Sequence, residues 1–342
     1  MELSEDRSGT LKAALAGSRQ AFDELAEPHR RELQVHCYRM LGSILDAEDL
    51  VQETLLRAWQ KLHTFEARAP FRAWLYRIAT NACLDEIAKR PKRSLPFELY
   101  PAAHPGQPID PPILDPIWIE PFPDALLESD RYDPAARFDQ RESVTLAFLV
   151  ALQSLPSRQR AILLLKDVLG LRANEVASLL GSSVSAVNSA LYRARIRLKN
   201  NYPSTAKTTS ASDPAVQELL DRYVAAWESA DVDSLVALFR EDATFPMPPV
   251  PTWVKGRGPI REFVLRNILN GDARGRWRLL PTRANSQPAF GWYRRQSGRA
   301  SYDAFGIQVI TLKDGLIADA TTFGFPELFE VFDLPSRIGG AS

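Results

Sequence analysis

Residues 171–199 read LRANEVASLLGSSVSAVNSALYRARIRLK. From Ala173 to Leu180 the apolar residues Val176, Leu179 and Leu180 fall three and four apart, which predicts a short helix with one inward face. Gly181-Ser182-Ser183 interrupts it, and a longer helix is expected from Val184. Gly181 suits the left-handed residue that ends a helix, and Ser183 suits the cap of the next helix's free amides. Along the second helix Val184, Val187, Leu191, Ala194 and Leu198 make a narrow apolar stripe. Ser185, Ser189, Tyr192 and Arg193 lie opposite, Arg195, Arg197 and Lys199 flank the stripe, and no carboxylate occurs between Val176 and Ser212. Hydrogen-bond donors at one end and phosphate-seeking cations at the other are what a helix-turn-helix presents to a major groove. A plain helical hairpin with a solvated basic face has the same pattern, so the rest of the chain has to decide.

The chain has 342 residues, more than one core accommodates comfortably, and two or three domains are expected. Its formal net charge is zero but unevenly spread: Gln140 to Tyr202 holds nine Lys or Arg against three Asp or Glu, and Ser94 to Phe138 holds two against eight. No stretch approaches the roughly 18 apolar residues of a membrane span, and the polar start MELSEDRSGT is unlike a signal peptide. A cytoplasmic protein without a membrane partner is expected. Cys37 and Cys83 sit in apolar helical patterns, where a disulfide is not expected. His29 and His36 near Cys37 match no common zinc spacing, so neither metal nor cofactor is expected.

Residues from Thr10 to about Lys89 are helical in pattern. In DAEDLVQETLLRAW (46–59) Ala47, Leu50, Val51, Leu55, Ala58 and Trp59 take one face, leaving Asp49, Glu53 and the following Gln60 on the other. In FRAWLYRIATNACLDEIAKR (71–90) Phe71, Trp74, Leu75, Ile78 and Ala82 are expected inward, and Arg72, Tyr76, Arg77, Asn81, Lys89 and Arg90 outward. Aromatics interleaved with amides and arginines fit melted DNA; a packed helix with a basic exterior explains them equally.

These two stretches, followed by SLPSRQRAILLLKDVLGLRANEVASLLGSSVSAVNSALYRARIRL, resemble the sigma-70 family of RNA polymerase sigma factors, extracytoplasmic-function group, over about the first 200 residues. The resemblance implies core RNA polymerase and promoter DNA as partners. It places Asp46, Asp49, Gln52 and Glu53 on the clamp helices of the β′ subunit. Arg72, Trp74, Tyr76, Arg77, Asn81, Lys89 and Arg90 fall at the minus-ten element, whose flipped base is held beside this helix. Ser183, Ser185, Asn188, Ser189, Tyr192, Arg193 and Arg195 fall at the minus-thirty-five element, on a domain that docks on the β flap. One departure is Ala190, where many members carry an arginine; its contacts are expected to pass to Asn188, Ser189 and Arg193. Leu155-Pro-Ser-Arg-Gln-Arg160 reads as a proline-started helix carrying two cations.

Ser94 to Phe138 contains ten prolines and can sustain neither a helix nor a central strand. Proline stiffness and self-repelling acid predict an extended connector. In the family it threads toward the active-site and RNA-exit channels, where its charge could imitate nucleic acid; a plain spacer is the alternative.

After the polar linker at 203–212, Val216–Ser229, Val232–Arg240 and Gly258–Asn270 read as helices, and alternation from Arg276 onward reads as antiparallel strands with a hairpin turn at Lys313-Asp314-Gly315. Helices followed by a curved sheet resemble the SnoaL-like, nuclear-transport-factor-like cone, with its opening at Trp227, Asp231 and Leu235. Such cones enclose an apolar cavity. Trp227, Phe245, Met247, Trp253, Tyr293, Phe305 and Phe323 are expected to line it or simply to fill the core. Asp231 and Asp303 are the nearest analogues of the buried acid that related enzymes use for proton transfer.

The reading is a multidomain chain: an all-α bundle (10–93), a proline-rich acidic linker (94–138), an all-α helix-turn-helix domain (139–202) and an α+β cone (213–335). It is expected to act as a non-enzymatic initiation factor whose cone regulates it and could bind a small ligand. A cyclase or isomerase fused to a DNA-binding regulator is the competing reading.

Overall fold

A computed structural model describes residues 2–66, 70–115, 117–127, 144–201, 213–296 and 298–339. The chain divides into two compact units, Met1–Lys92 with Ala147–Tyr202, and Arg93–Leu146 with Pro203–Ser342. The end of the expected linker (128–138), the first residues of the expected helix-turn-helix domain (139–143) and the linker at 203–212 lie outside the described residues.

The first unit is all helix: α1 (Glu2–Leu15), α2 (Arg19–Ala26), α3 (Arg30–Leu41), α4 (Ile44–Gln60) and α5 (Phe71–Ile87). Local chemistry sets their ends. Ser18 Oγ accepts the Ala21 amide at 3.3 Å and Ser43 Oγ the Asp46 amide at 3.0 Å, each an N-cap. Gly42, at φ 76°, takes the left-handed turn that separates α3 from α4, a conformation a side chain would resist. Leu33, Cys37, Met40, Ile44, Val51, Leu75, Ala79 and Cys83 form the buried interior. Later helices complete the unit: the end of α7 (Leu146–Gln153), α8 (Ser157–Leu163), α9 (Ala173–Leu179) and α10 (Val184–Asn201). Helix α8 packs on α3 and α5 as well as on α10.

The second unit is a cone. Helices α11 (Pro214–Ser229), α12 (Val232–Val236) and α13 (Arg257–Asn267) cover a sheet of β1 (Phe239–Met247), β2 (Val250–Lys255), β3 (Trp277–Ala284), β4 (Gln287–Arg295), β5 (Tyr302–Lys313) and β6 (Leu316–Phe323), in the order β2-β1-β6-β5-β4-β3. A short β7 (Arg337–Ile338) pairs with β5, and β1 runs parallel to β6 while the other neighbours are antiparallel. The β5–β6 turn has positive φ at Asp314 and Gly315, as expected of a two-residue hairpin turn. The helix expected over Val232–Arg240 stops at Val236, and Phe239 opens a strand. Strands β1 and β2 escape the sequence pattern because the prolines of FPMPPVP break the alternation.

The proline-rich segment is not a free connector. Its described residues form one short helix, α6 (Pro96–Leu99), a single 3-10 turn at Asp124–Leu126 and otherwise irregular chain, and they are fastened to the cone. Ala103 N donates to Trp253 O at 2.8 Å, Ile113 N to Pro249 O at 2.9 Å, and Trp253 Nε1 to Tyr100 O at 2.9 Å, all along edge strand β2 and the turn before it. A second attachment lies at the β3–β4 turn. Asn285 N donates to Phe122 O, Phe122 N to Asn285 Oδ1, and Arg283 pairs with Asp124 at 3.0 Å. Trp118, Ile119 and Phe122 are buried. The expected self-repulsion is eased where acids find partners: Asp124 on Arg283, Glu120 on Arg93, and Asp110 on the Thr252 hydroxyl. Among the described residues no helix is long and apolar enough to cross a membrane.

Candidate nucleic-acid and polymerase surfaces

Helices α9 and α10 meet through Gly181, whose φ of 58° makes the left-handed turn. Ser183 Oγ accepts the Ala186 amide at 3.1 Å and starts α10. Val187, Ala190, Leu191 and Ala194 are buried, whereas Val184, expected inward, is 43% exposed. Ala190 therefore belongs to the packed stripe and is not a vacated contact position. Ser185, Asn188, Ser189, Tyr192 and Arg193 are all exposed. Arg195 is held by Asp167 through two bonds of 2.9 and 2.7 Å, which raise its pKa further. Any phosphate it meets has to compete with that carboxylate.

On α4, Asp49 and Gln52 are exposed. Glu53 accepts from Arg57 Nε at 2.6 Å, and Asp46 from Arg90 Nη1 at 2.9 Å. Arg77 and Asn81 on α5, and Lys89 and Arg90 just past its end, are exposed. Tyr76, expected outward, is instead buried: its ring meets His36 edge-on at 5.1 Å and its hydroxyl donates to Glu32 O at 3.4 Å. Trp74 is buried against Phe65 and Phe71. Neither ring is free to stack on a base, because six residues from Phe71 to Tyr76 span nearly two helical turns and part of every turn faces the core. Arg72 is bound to Glu32 at 2.8 Å and lies 5.0 Å over the Tyr76 ring.

Two buried polar residues of this unit carry no sequence signal beyond their type. Arg160 is 3% exposed and donates to Met40 O, to Gln153 Oε1 at 2.5 Å, to Gln153 O at 3.1 Å and to Leu155 O at 3.3 Å. Burial pulls its guanidinium pKa down to about 10. His36 is buried, its Nε2 2.9 Å from Thr80 Oγ1, and burial together with the charge of Arg39 pushes its pKa down to about 3. Arg160 reads in sequence as the second surface cation of a proline-started helix. Only the position of α3 shows otherwise.

In the cone, Trp227, Phe245, Tyr293 and Phe323 are buried, the first three among other rings: Trp227 lies 4.5 Å from Trp292 and 6.5 Å from Phe245, and Tyr293 5.1 Å from Phe329. Trp253 faces the proline-rich segment, 6.1 Å from Phe97. The two acids singled out from sequence are misplaced for proton transfer. Asp231 is an exposed N-cap whose pKa is lowered by the Ser234 amide and hydroxyl. Asp303 is tied to Arg337 at 2.7 Å and Arg299 at 3.4 Å. The acid with a raised pKa is Asp319, partly covered and bonded to the Thr244 and Thr321 hydroxyls at 2.6 Å each; burial pushes it up to about 6. Tyr223 and Trp292 both donate to buried Gln308 Oε1, at 2.5 and 3.1 Å.

A helical bundle with an acidic outer helix, a helix-turn-helix with an exposed donor face, and an appended α+β cone define a transcription factor of composite build. The Sigma-70 region 2 family matches residues 25–93, the Sigma-70 region 4 family residues 145–198, and the SnoaL-like domain family residues 220–320. The ECF RNA polymerase sigma factor SigG of Mycobacterium tuberculosis is 43% identical over 320 residues, 93% of this chain and 85% of that protein. SigJ of the same organism, also an ECF sigma factor, is 30% identical over 246 residues, 70% of each chain. The crystal structure of Mycobacterium tuberculosis SigJ superposes with a TM-score of 0.57 at 25% identity, covering 92% of this chain and 99% of that one. The chain belongs to the ECF RNA polymerase sigma factors, with a SnoaL-like C-terminal domain.

Proposed function

We propose that the chain acts in the cytoplasm as a dissociable initiation subunit and performs no covalent chemistry of its own. The outer face of α4, with Asp46, Asp49, Gln52 and Glu53, seats it on the clamp helices of β′, and the helix-turn-helix domain docks on the β flap. Arg77, Asn81, Lys89 and Arg90 face the minus-ten element, with Arg72, Trp74 and Tyr76 shaping α5 from beneath. Ser183, Ser185, Asn188, Ser189, Tyr192, Arg193 and Arg195 face the minus-thirty-five element. The cone, which already holds the proline-rich segment, regulates the other domains; its aromatic interior reads as packed core, not as a ligand cavity.

The observation that carries this reading is α10: Val187, Ala190, Leu191 and Ala194 are buried while Asn188, Ser189, Tyr192 and Arg193 remain exposed on a helix without carboxylates. An Asn amide and an Arg fork are the groups that read base edges, each good pair contributing about 1–3 kcal/mol of discrimination. Run-off transcription with the full chain and core polymerase tests it. Asn188→Ala or Arg193→Ala is expected to lower promoter-specific transcripts roughly 5- to 150-fold. No core-dependent transcript from any member of a promoter library, or unchanged output from both variants, refutes it.

A further inference from the structure

The cone distributes its charge unevenly. Between Ala273 and Tyr302 there are seven arginines and no carboxylate, whereas the rest of residues 213–342 holds eight Lys or Arg against sixteen Asp or Glu. Topology gathers most of these arginines. Strands β3 and β4 are antiparallel with Trp277 opposite Arg294, so Arg274, Arg276 and Arg278 come to the same end of the hairpin as Arg294, Arg295 and Arg299. Arg337 joins them from β7, opposite Asp303. Three of these seven arginines are paired with carboxylates, Arg278 with Glu228, and Arg299 and Arg337 with Asp303.

Among the described residues Arg274, Arg294 and Arg295 make no ion pair, and all three are exposed. Two are braced from below. The Arg294 guanidinium lies 5.7 Å over the Phe305 ring and that of Arg295 5.7 Å over Tyr302, whose hydroxyl is fixed to Gly275 O at 2.7 Å. A stacked guanidinium keeps its charge and its fork of donors while losing less freedom on meeting an anion. Of the rings beneath, Tyr302 is 3% exposed, and Phe305 is half-buried with one face taken by Arg294. Single-strand binding uses exposed rings as stacking platforms, and this surface offers guanidinium groups instead. Such groups suit the sugar–phosphate backbone of a duplex, which is gripped without regard to sequence.

We propose that this arginine end of the cone is a further nucleic-acid surface, one that holds the backbone phosphates of duplex promoter DNA. It rests on the chain's place as a sigma factor but on none of the base-reading residues of α10.

The test uses holoenzyme assembled from core polymerase and the full chain, bound to a promoter duplex across a range of salt. For Arg274→Gln/Arg294→Gln/Arg295→Gln the slope of log affinity against log salt is expected to flatten by about 2 to 3, close to 0.9 for each phosphate no longer gripped, with promoter preference unchanged. The matching Lys triple is expected to keep the slope. Arg274→Gln alone, at a residue that stacks on no ring, is expected to flatten it by about 0.9 and serves if the triple fails to fold. An unchanged slope in the Gln variants overturns the proposal. So does a defect confined to RNA binding, which reassigns the surface to transcript. Wild-type holoenzyme that binds no promoter would remove both this surface and the initiation reading, an outcome distinct from normal binding with an unaltered slope.

Discussion

Replacing Arg160 should loosen the first unit more than any surface cation of α8 or α10. The guanidinium is buried, reaches from α8 to the C-terminal carbonyl of Met40 on α3, and also satisfies Gln153 Oε1, Gln153 O and Leu155 O. Gln153 in turn donates to Arg39 O at 3.3 Å, so the two residues fasten one helix end together. Removing one partner of a buried charged network costs about 3–5 kcal/mol, since the abandoned acceptors stay dry. Arg160→Met keeps the aliphatic volume and isolates that polar loss. Gln153→Leu alone should cost about 1–3 kcal/mol, and the double variant clearly less than the sum, because the orphaned Gln153 oxygen is then gone. Native-state hydrogen exchange of α3 and α8 amides reads this unit apart from the cone. A loss below about 1 kcal/mol for Arg160→Met, or strictly additive losses, would refute the argument.

Two pH effects of opposite sign follow from the buried titratable groups. His36 has a folded pKa pushed from 6.5 to about 3, so its contribution is whole above about 6.5 and is lost as pH falls toward 3, up to about 4–5 kcal/mol. Arg39 and Arg72 press the same way and Glu32 opposes them. His36→Gln should flatten the acid limb of the first unit's stability, and an unchanged limb in urea titrations at stepped pH would count against it. Asp319 has a folded pKa raised from 3.8 to about 6, so its contribution is whole below about 3.8 and declines as pH rises through 6, by about 1–3 kcal/mol for a partly covered carboxyl. Asp319→Asn should remove that decline in the cone's exchange protection; a variant with the wild-type profile would show that the carboxylate is already ionised there.

Much of the fold is legible because periodicity is a local property. The stripe of Val187, Leu191 and Ala194, the turn at Gly181 and the cap at Ser183 need no distant residue, and each stands where its spacing puts it. What sequence could not give depends on partners far along the chain. Tyr76 turns inward because His36 and Glu32 of α3 are there to receive it, and Arg160 is dry because α3 ends against it. Asp303 and Asp319 are both half-covered strand acids, yet two arginines neutralise the first while the second is met by the Thr244 and Thr321 hydroxyls and a backbone bond from Thr321. No alternation pattern tells them apart.

The proline-rich segment makes the same point with a consequence for function. Proline removes backbone donors, which disqualifies a segment from a sheet interior but leaves it well suited to cover an edge strand, where each remaining amide finds a carbonyl in isolation. Here the covered strand is β2, at one end of the sheet. Asp110, Glu120 and Asp124 are thereby engaged by the Thr252 hydroxyl, Arg93 and Arg283, so three of the eight carboxylates that could imitate nucleic acid are spoken for in this arrangement. Trp118, Ile119 and Phe122, each at most 1% exposed, would give up about 1.5–3 kcal/mol apiece if returned to water. A polymerase channel that receives this segment must replace both the ion pairs and the apolar burial. On the proposed reading the cone and the polymerase would compete for one strap of chain, and whatever loosens the Asp124–Arg283 and Tyr100–Trp253 pairings would shift that competition toward the polymerase.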